Sequence, residues 1–316
     1  MNFRTPITIP KSKYPIDYYS KVISIGSCFA ENISVKLEEH KFQYYSNPFG
    51  ILFQPDAIEN ILIRAIELRL FTEGDLFFEN ELWHCFEVHS DLNNPDKDDM
   101  LINLNGILTY LNGQLKLCSH LILTLGSAWT YRFSHTQKRV ANCHKIPQSN
   151  FTKELESVDE IAVSLNNIQA KLIKFNPEIK FIFTVSPVRH LKDGFIENQL
   201  SKSQLISALH SSIIHFPFSI YFPSYEIMID DLRDYRFYAE DMLHPNQTAI
   251  QYIWEYFVAA HISHHAYPIM DELVSIQKGL NHRPFNPNTE QHQLFVRKLH
   301  ERIEQLQEKY PFLNLS

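Results

Sequence analysis

The chain has 316 residues and a formal net charge of −7, with 44% hydrophobic and 13% aromatic residues. This is enough for one large α/β domain with a buried core, and the negative charge argues against a nucleic-acid-binding protein that depends on a basic surface. No apolar run approaches the roughly 20 residues of a membrane-spanning helix, and no glycine-rich cofactor loop or metal-ligand spacing occurs, so no membrane, cofactor or metal is expected.

Apolar strands alternate with amphipathic helices along most of the chain. Segment 55–70 repeats apolar residues at helical spacing, whereas 120–125 and 180–185 are continuous apolar runs bounded by turn residues. The predicted strands are 21–27, 42–47, 120–125, 180–185 and 219–227, with a hairpin over 76–88 whose turn lies near Glu79-Asn80. The predicted helices are 30–40, 55–70, 99–111, 151–175, 201–215, 248–261 and 294–309.

This order of elements predicts a three-layer α/β/α sandwich. Continuous apolar strands separated by helices are typical of a parallel sheet that is covered on both faces. We expect a mostly parallel central sheet of about five strands. The expected domain spans residues 1–265, with an insertion at about 71–113, and residues 266–316 are predicted to form a helical C-terminal extension.

The four cysteines and the N-terminus bear on the compartment. No CxxC motif or disulfide spacing occurs, so we expect reduced thiols. The N-terminus lacks the apolar region of a secretory signal, so the cytoplasm is the expected location. The oligomeric state is left open.

Polar motifs follow the predicted strands at the points where these strands end. They are Gly26-Ser27, Asn47-Pro48-Phe49-Gly50, Gly126-Ser127 and Ser186-Pro187. Because the carboxyl ends of parallel strands meet at one edge, where ligands bind, we expect these motifs to lie together.

Ser27, Asp241 and His244 have the chemistry of a catalytic triad. A serine hydroxyl is a weak nucleophile near neutral pH and needs an adjacent base. A histidine three residues after an aspartate supplies that base together with a carboxylate that orients it. Simpler interpretations exist, in which Ser27 caps the helix that begins near Ala30 and His244, before Pro245, caps the helix that follows.

Other side chains near the strand ends have alternative interpretations. Cys28 is a rival nucleophile at a helix start, but we expect a small buried packing group, because neighbouring residues on a turn point in different directions. Arg189 and His190 are candidates for binding an anionic or polar substrate group, or else form a surface pair. Trp129 and Tyr131 are candidates for an apolar or sugar-stacking wall, although aromatic residues are more often part of the core.

The segment Gly26-Ser27-Cys28-Phe29-Ala30 is one of six motifs that occur in a characteristic order. The others are 47–52 (NPFGIL), 124–131 (TLGSAWTY), 142–147 (NCHKIP), 184–190 (TVSPVRH) and 241–245 (DMLHP). Together they resemble the GSCFA-domain family, a branch of the SGNH/GDSL-like hydrolase superfamily. The resemblance spans residues 20–260 and says little about the C-terminal extension.

The resemblance implies a flavodoxin-like fold and a serine esterase or deacylase that works through an acyl-enzyme. The serine that attacks an ester carbonyl in the superfamily corresponds to Ser27. The general base corresponds to His244, and the carboxylate that orients it corresponds to Asp241. By superfamily analogy, the substrate is an O-acyl ester of a small molecule or a carbohydrate.

The oxyanion hole is where this chain departs from the superfamily. The resemblance implies donors at the backbone N–H groups of Ser27 and Gly50 and at an asparagine side chain, but Ala128 occupies the asparagine position. The loss of one such donor costs about 3–4 kcal/mol of transition-state stabilisation. The candidates to replace it are Asn142, which is the first choice, Ser127 and Asn47.

Two other functions stay open, of which the first follows from the missing asparagine and the second is a variant of the esterase. One is a non-catalytic ligand-binding or scaffold protein that retains the hydrolase fold. The other is an acyltransferase that uses the same triad and an acceptor other than water. Gly50 also has a simpler interpretation, in which it serves only as a turn residue.

Overall fold

The alternating sequence pattern produces alternating strands and helices in the computed structural model, which describes residues 5–315. The strands are β1 (Lys21–Gly26), β2 (Gln43–Ser46), β3 (Leu76–Glu79), β4 (Leu82–Cys85), β5 (His120–Leu125), β6 (Trp129–Phe133), β7 (Arg139–Val140), β8 (Phe151–Leu155), β9 (Lys180–Val185) and β10 (Ser219–Phe222). The helices are α1 (Cys28–Glu39), α2 (Pro55–Ile66), α3 (Lys97–Leu117), α4 (Val158–Phe175), α5 (Phe195–Ile213), α6 (Ser224–Glu226), α7 (Gln247–His261), α8 (Tyr267–Leu280) and α9 (Glu290–Lys309).

The central sheet has five strands in the order β10-β9-β5-β1-β2, and every neighbouring pair is parallel. In this sheet, β2 lies on one side of β1 and forms an edge. β5, β9 and β10 follow one another on the other side of β1. This is the flavodoxin-like order, which reverses beside the first strand. The predicted parallel five-stranded sheet is therefore confirmed.

Successive strand residues point to opposite sides of this sheet, so its apolar strands present apolar side chains on both faces. Helices cover both faces and bury these side chains. Leu121 and Leu123 of β5 face one apolar cluster, which also contains buried residues of α2, α3, α4 and α5. Ile122 faces the other cluster, which contains buried residues of α1, α7, α8 and α9. The predicted three-layer sandwich is confirmed. The C-terminal helices α8 and α9 share the second cluster with the sheet.

The segment before β5 forms the predicted hairpin and a helix. β3 and β4 pair in antiparallel register, and their turn residues Asn80 and Glu81 have φ of 50° and 62°. Positive φ at both central residues is typical of a tight two-residue hairpin turn. Helix α3 is longer than predicted at both ends.

The predicted helix over 151–175 is wrong in its first part. Residues Phe151–Leu155 form β8, which pairs antiparallel with β6, and β7 completes a small three-stranded sheet. The helix begins only after Ser157, whose side chain accepts from the Glu160 N–H while the Glu160 carboxylate accepts from the Ser157 N–H. This capping box fixes the true helix start.

Several other predicted boundaries also change. The strand predicted over 219–227 ends at Phe222, because Pro223 follows and the chain then turns into α6. Helix α5 begins at Phe195, six residues before its predicted start. Helix α2 ends at Ile66, and Leu68 beyond it has a φ of 49°.

Candidate active site

Ser27 stands at the point where β1 ends and α1 begins. Gly26 before it has a φ of 152°, and a Cβ there would lie 2.2 Å from the Thr124 carbonyl oxygen. Only glycine therefore allows β1 to approach β5 so closely. The Ser27 hydroxyl accepts from the Phe29 N–H at 3.3 Å, so Ser27 does cap α1. It is 1% exposed, so the hydroxyl lies below the protein surface.

Asp241 and His244 form a closely bonded pair on an exposed loop. The Asp241 Oδ2 lies 2.6 Å from the His244 Nδ1, while Oδ1 accepts from the backbone N–H groups of Leu243 and His244. These backbone bonds, followed by the bond from the His244 ring, lower the pKa of Asp241 to about 2. The carboxylate is therefore ionised at neutral pH, and it leaves the Nε2 of His244 available as a base.

Arg189 ties this loop to the turn after β9. Its N–H donates to the Leu243 carbonyl at 3.2 Å, and its guanidinium donates to the Met242 carbonyl at 3.4 Å. The guanidinium carbon lies 4.0 Å from the ring centre of Tyr238. These contacts bring the loop to the carboxyl edge of the sheet, and they occupy Arg189 with support of the loop.

His190 is a buried imidazole beside the same loop. Its ring stacks on Phe53 at a centroid distance of 5.3 Å, and its Nε2 is buried without a hydrogen-bond partner in the chain from residue 5 to residue 315. Burial lowers the pKa of His190 to about 3, with smaller effects from the charges of Lys202 and His244. His190 is therefore neutral, with an unpaired ring nitrogen.

Lys202 is a functional candidate that the sequence analysis missed. It is 0% exposed, and its ammonium donates to the Gly126 carbonyl at 2.7 Å and to the Ser186 carbonyl at 2.8 Å. It thereby joins the turns that follow β5 and β9. Burial lowers the pKa of Lys202 to about 7.

Electrostatic interactions connect the separate parts of this edge. Burial raises the pKa of Cys28 and lowers that of His190. The charge of Lys202 acts against the first shift and adds to the second, and His244 also adds to the second. Because such effects weaken with distance, these groups lie near one another. Cys28, the residue after Ser27, therefore lies near Lys202, and His190 lies near both Lys202 and His244. Burial, followed by Glu31, raises the pKa of the Cys28 thiol, which does not favour Cys28 as the nucleophile.

The two backbone donors implied by the resemblance already have acceptors. The Ser27 N–H donates to the Thr124 carbonyl at 3.0 Å, and the Gly50 N–H donates to the Asn47 carbonyl at 2.8 Å. Gly50 has a φ of 74°, and a Cβ there would lie 2.3 Å from the His89 Cβ. Gly50 is thus required by a tight turn, and its oxyanion role stays a prediction.

Two of the three candidates to replace the missing donor line a cleft of about 590 Å³ beside His190. Asn142 and Ser127 both line it, together with Trp129 and Tyr131. The Asn142 Oδ1 accepts from the His144 N–H at 2.8 Å, and the Ser127 Oγ accepts from the Trp129 N–H at 3.0 Å. The cleft therefore brings three predicted substrate-side residues, Asn142, Ser127 and His190, to one place.

Asn47, the remaining candidate donor, supports the turn before Ser27. Its Oδ1 accepts from the Gly26 N–H at 2.9 Å. This bond links the ends of β1 and β2 and helps to fix Ser27.

Among residues 5–315, no group of three or more His, Cys, Asp or Glu side chains is arranged to hold a metal ion. Over the same residues, no helix has both the length and the apolar character needed to span a membrane.

Comparisons with known proteins place the chain in a family. No curated protein matches it in sequence. Among solved structures, it is similar to a carbohydrate esterase family 3 protein from Talaromyces cellulolyticus, with 10% identity, a TM-score of 0.35 and coverage of 82% of this chain and 98% of that chain. It is also similar to the acetyl xylan esterase Est2A from the rumen bacterium Butyrivibrio proteoclasticus, with 10% identity, a TM-score of 0.39 and coverage of 78% and 66%. At this level of similarity neither structure assigns an activity to this chain.

The family itself is identified from the sequence. Residues 274–316 match the family described as GSCFA domain protein, C-terminal domain. Residues 21–257 match the GSCFA family, and this match covers most of the chain. The chain therefore belongs to the GSCFA family.

Proposed function

We propose that the chain is a serine esterase or deacylase that acts on an O-acyl ester. Ser27 is the nucleophile, His244 the general base and Asp241 the group that orients the base. The observation that carries the proposal is the 2.6 Å contact between Asp241 and His244. Their loop is held by Arg189 at the carboxyl edge of the sheet, where Ser27 follows β1. Nucleophile, base and orienting carboxylate are the parts that acyl transfer requires.

The chemistry proceeds through two acyl transfers. The His244 Nε2 takes the proton of Ser27 as its oxygen attacks the ester carbonyl, and then gives that proton to the departing alcohol. Water next attacks the acyl-Ser27 ester, with His244 again as the base, and releases the carboxylic acid. The ionised Asp241 stabilises the imidazolium that forms in each step.

Negative charge on the acyl oxygen needs stabilisation from groups around Ser27. As the cap of the twelve-residue helix α1, Ser27 faces the positive end of the helix dipole. For the donor that replaces the missing asparagine we favour His190 over Asn142, because its buried Nε2 lacks a partner among residues 5–315. A neutral imidazole is known to act as such an electrophile.

The proposed substrate class rests on the cleft beside His190, whose lining includes neither Ser27 nor His244. A volume of about 590 Å³ with aromatic, amide and basic side chains suits a small polar molecule or a sugar residue that carries an acyl group. An acyltransferase would use the same triad. An acylated acceptor other than water among the products would distinguish it from a hydrolase.

A serine-directed fluorophosphonate probe, followed by peptide mass spectrometry, tests this function. We expect labelling at Ser27 in the wild type and loss of labelling in Ser27→Ala and His244→Ala variants that remain folded. Cys28→Ser is the matched control and should label like the wild type. Labelling at Cys28, or no labelling in folded wild type, would contradict the proposal.

A non-catalytic binding or scaffold protein is the second candidate. It is favoured by one group of observations: Ser27 is 1% exposed, and the N–H groups of Ser27 and Gly50 already have acceptors. This candidate predicts no ester turnover in any variant and no effect of Ser27→Ala on ligand binding. Turnover that disappears in Ser27→Ala would exclude it.

A further inference from the structure

Lys202 is a buried cation without a buried anion to balance it. It belongs to the inward face of α5, is 0% exposed, and forms no ion pair with any of residues 5–315. Burying an ammonium group is costly unless charge or hydrogen bonds compensate for it. Its two known acceptors are neutral carbonyls, and a charged lysine has three N–H donors. A position this costly calls for a role beyond packing.

The surroundings of Lys202 come from four parts of the carboxyl edge. The accepting carbonyls belong to Gly126 after β5 and Ser186 after β9. The titratable groups that face it are Cys28 on α1, His190 after β9 and Tyr225 on α6, whose ring centre lies 5.8 Å from the ammonium. Lys202 is thus the cation of this group. Another member, Cys28, directly follows the proposed nucleophile Ser27.

We infer that Lys202 is a positioning residue of the proposed active site, which holds the turns after β5 and β9 together and provides positive charge near Ser27. This inference rests on the proposed function, because its purpose is to favour the acyl oxygen as it becomes negative. The chain lacks the side-chain donor that the superfamily places after the third sheet strand, where Ala128 stands. Lys202 binds the carbonyl of Gly126, two residues before Ala128.

The charge of Lys202 has two consequences. It adds to burial, which is the main reason that the pKa of His190 is low and the ring is neutral, and a neutral His190 can donate a single N–H to the acyl oxygen. It also makes the site dependent on pH. Because burial lowers the pKa of Lys202 to about 7, its positive charge is lost as the pH rises through that value.

The test compares wild type, Lys202→Met and Lys202→Arg in two measurements. The first is the rate of fluorophosphonate labelling at Ser27 across a pH series. The second is the rate of iodoacetamide alkylation of Cys28 at pH 6.5, followed peptide by peptide. Cys143 is the internal control, since it is also partly exposed and its pKa responds to Lys192 but not to Lys202. The alkylation measurement does not depend on Ser27 being a nucleophile.

The expected results are specific to charge. In the wild type, the labelling rate falls as the pH rises above 7. In Lys202→Met, labelling at pH 6.5 is slower by about tenfold or more, and Cys28 alkylates several-fold more slowly while Cys143 is unchanged. Lys202→Arg, which stays charged, retains labelling and loses the decline above pH 7.

Separate outcomes overturn separate statements. A wild-type labelling rate that does not fall above pH 7 contradicts the role of Lys202 and needs no variant to fold. An unchanged rate of Cys28 alkylation in folded Lys202→Met also contradicts the role of Lys202. If Ser27 is still labelled in that case, the esterase proposal stands. Absence of Ser27 labelling at every pH overturns the proposed function and, with it, the role of Lys202. This holds even if the alkylation rate of Cys28 still depends on the charge of Lys202.

Discussion

Single residues at this site perform several tasks at once. Asp241 binds the His244 ring and also accepts from two backbone N–H groups of its own loop. Ser27 caps α1 and is the proposed nucleophile. The sequence predicted these residues because short motifs carry them. The sequence did not predict Lys202, because α5 was expected to begin only at Ser201. With that start, Lys202 could not be recognised as part of the buried face of α5, which contains Asn198, Ser201, Lys202 and Leu205.

The Asp241 carboxylate can be tested by Asp241→Asn. The amide oxygen still accepts the backbone N–H groups, but the negative charge that stabilises the imidazolium is lost. We expect ester turnover or Ser27 labelling to fall by about 10⁴-fold, as for a triad aspartate elsewhere. The exposed neighbour Glu240→Gln is the control and should leave both rates unchanged. Equal rates for the two variants would show that Asp241 does not serve His244.

Gly26 can be tested by Gly26→Ala. A methyl group there meets the Thr124 carbonyl oxygen at 2.2 Å and the Thr124 Cβ at 2.8 Å, so β1 must move away from β5. We expect a loss of about 2 kcal/mol or more in the free energy of unfolding, measured with urea.

The matched control for Gly26 is Gly106→Ala. It lies within α3, where an added Cβ meets no heavy atom within 4 Å. This change is expected to stabilise the protein by about 0.5–1 kcal/mol. Similar effects of the two substitutions would contradict the close approach of β1 and β5.

At the scale of elements, the buried strands were predictable and the small sheet was not. β5 and β9 are continuous apolar runs, and both were predicted with their observed bounds. β8 reads Phe-Thr-Lys-Glu-Leu and is only partly buried, so its pairing with β6 depends on contacts that no local pattern shows. The start of α4 was nevertheless encoded by Ser157 and Glu160.

Ser157→Ala tests this helix start. The change removes one half of the capping box and leaves the first N–H groups of α4 without that acceptor. We expect the free energy of unfolding to fall by about 1 kcal/mol. Ser157→Thr keeps the hydroxyl and should retain most of the stability. Equal stability of Ser157→Ala and wild type in urea unfolding would show that the cap contributes nothing.

At the scale of the whole molecule, the sequence pattern predicted the parallel sheet, and the family resemblance implied its flavodoxin-like type. Helices on both faces were expected from the apolar runs, and both apolar clusters are present. The packing of α9 was not predictable in the same way. Its mostly polar sequence carries only Leu299 and Ile303 as buried residues, which join the cluster behind the sheet.

The buried histidines predict how the stability of the molecule depends on pH. Burial lowers the pKa of His261 and of His144 to about 4, and that of His190 to about 3. Between these values and about 6.5, the unfolded chain binds more protons, so stability rises with pH in that range. The histidine contribution is therefore complete above about pH 6.5 and is lost as the pH falls toward 4.

His261→Phe isolates one of these contributions. His261 packs against Phe222 and Phe257, and neither ring nitrogen has a partner among residues 5–315. The variant should reduce the slope of unfolding free energy against pH by about 1.4 kcal/mol per unit between pH 6 and 4.5. The exposed His265→Asn serves as control and should keep the wild-type slope. An unchanged slope in His261→Phe would contradict the buried neutral imidazole.

The central claim is that the Ser27 oxygen carries the acyl group during turnover. The most direct measurement mixes the protein with an activated acetyl ester, quenches with acid within the first turnover and locates the acetyl group by peptide mass spectrometry. We predict acetyl on Ser27 in the wild type and none on this residue in His244→Ala. Acetyl on Cys28, or on no residue while the ester is turned over, would contradict the account.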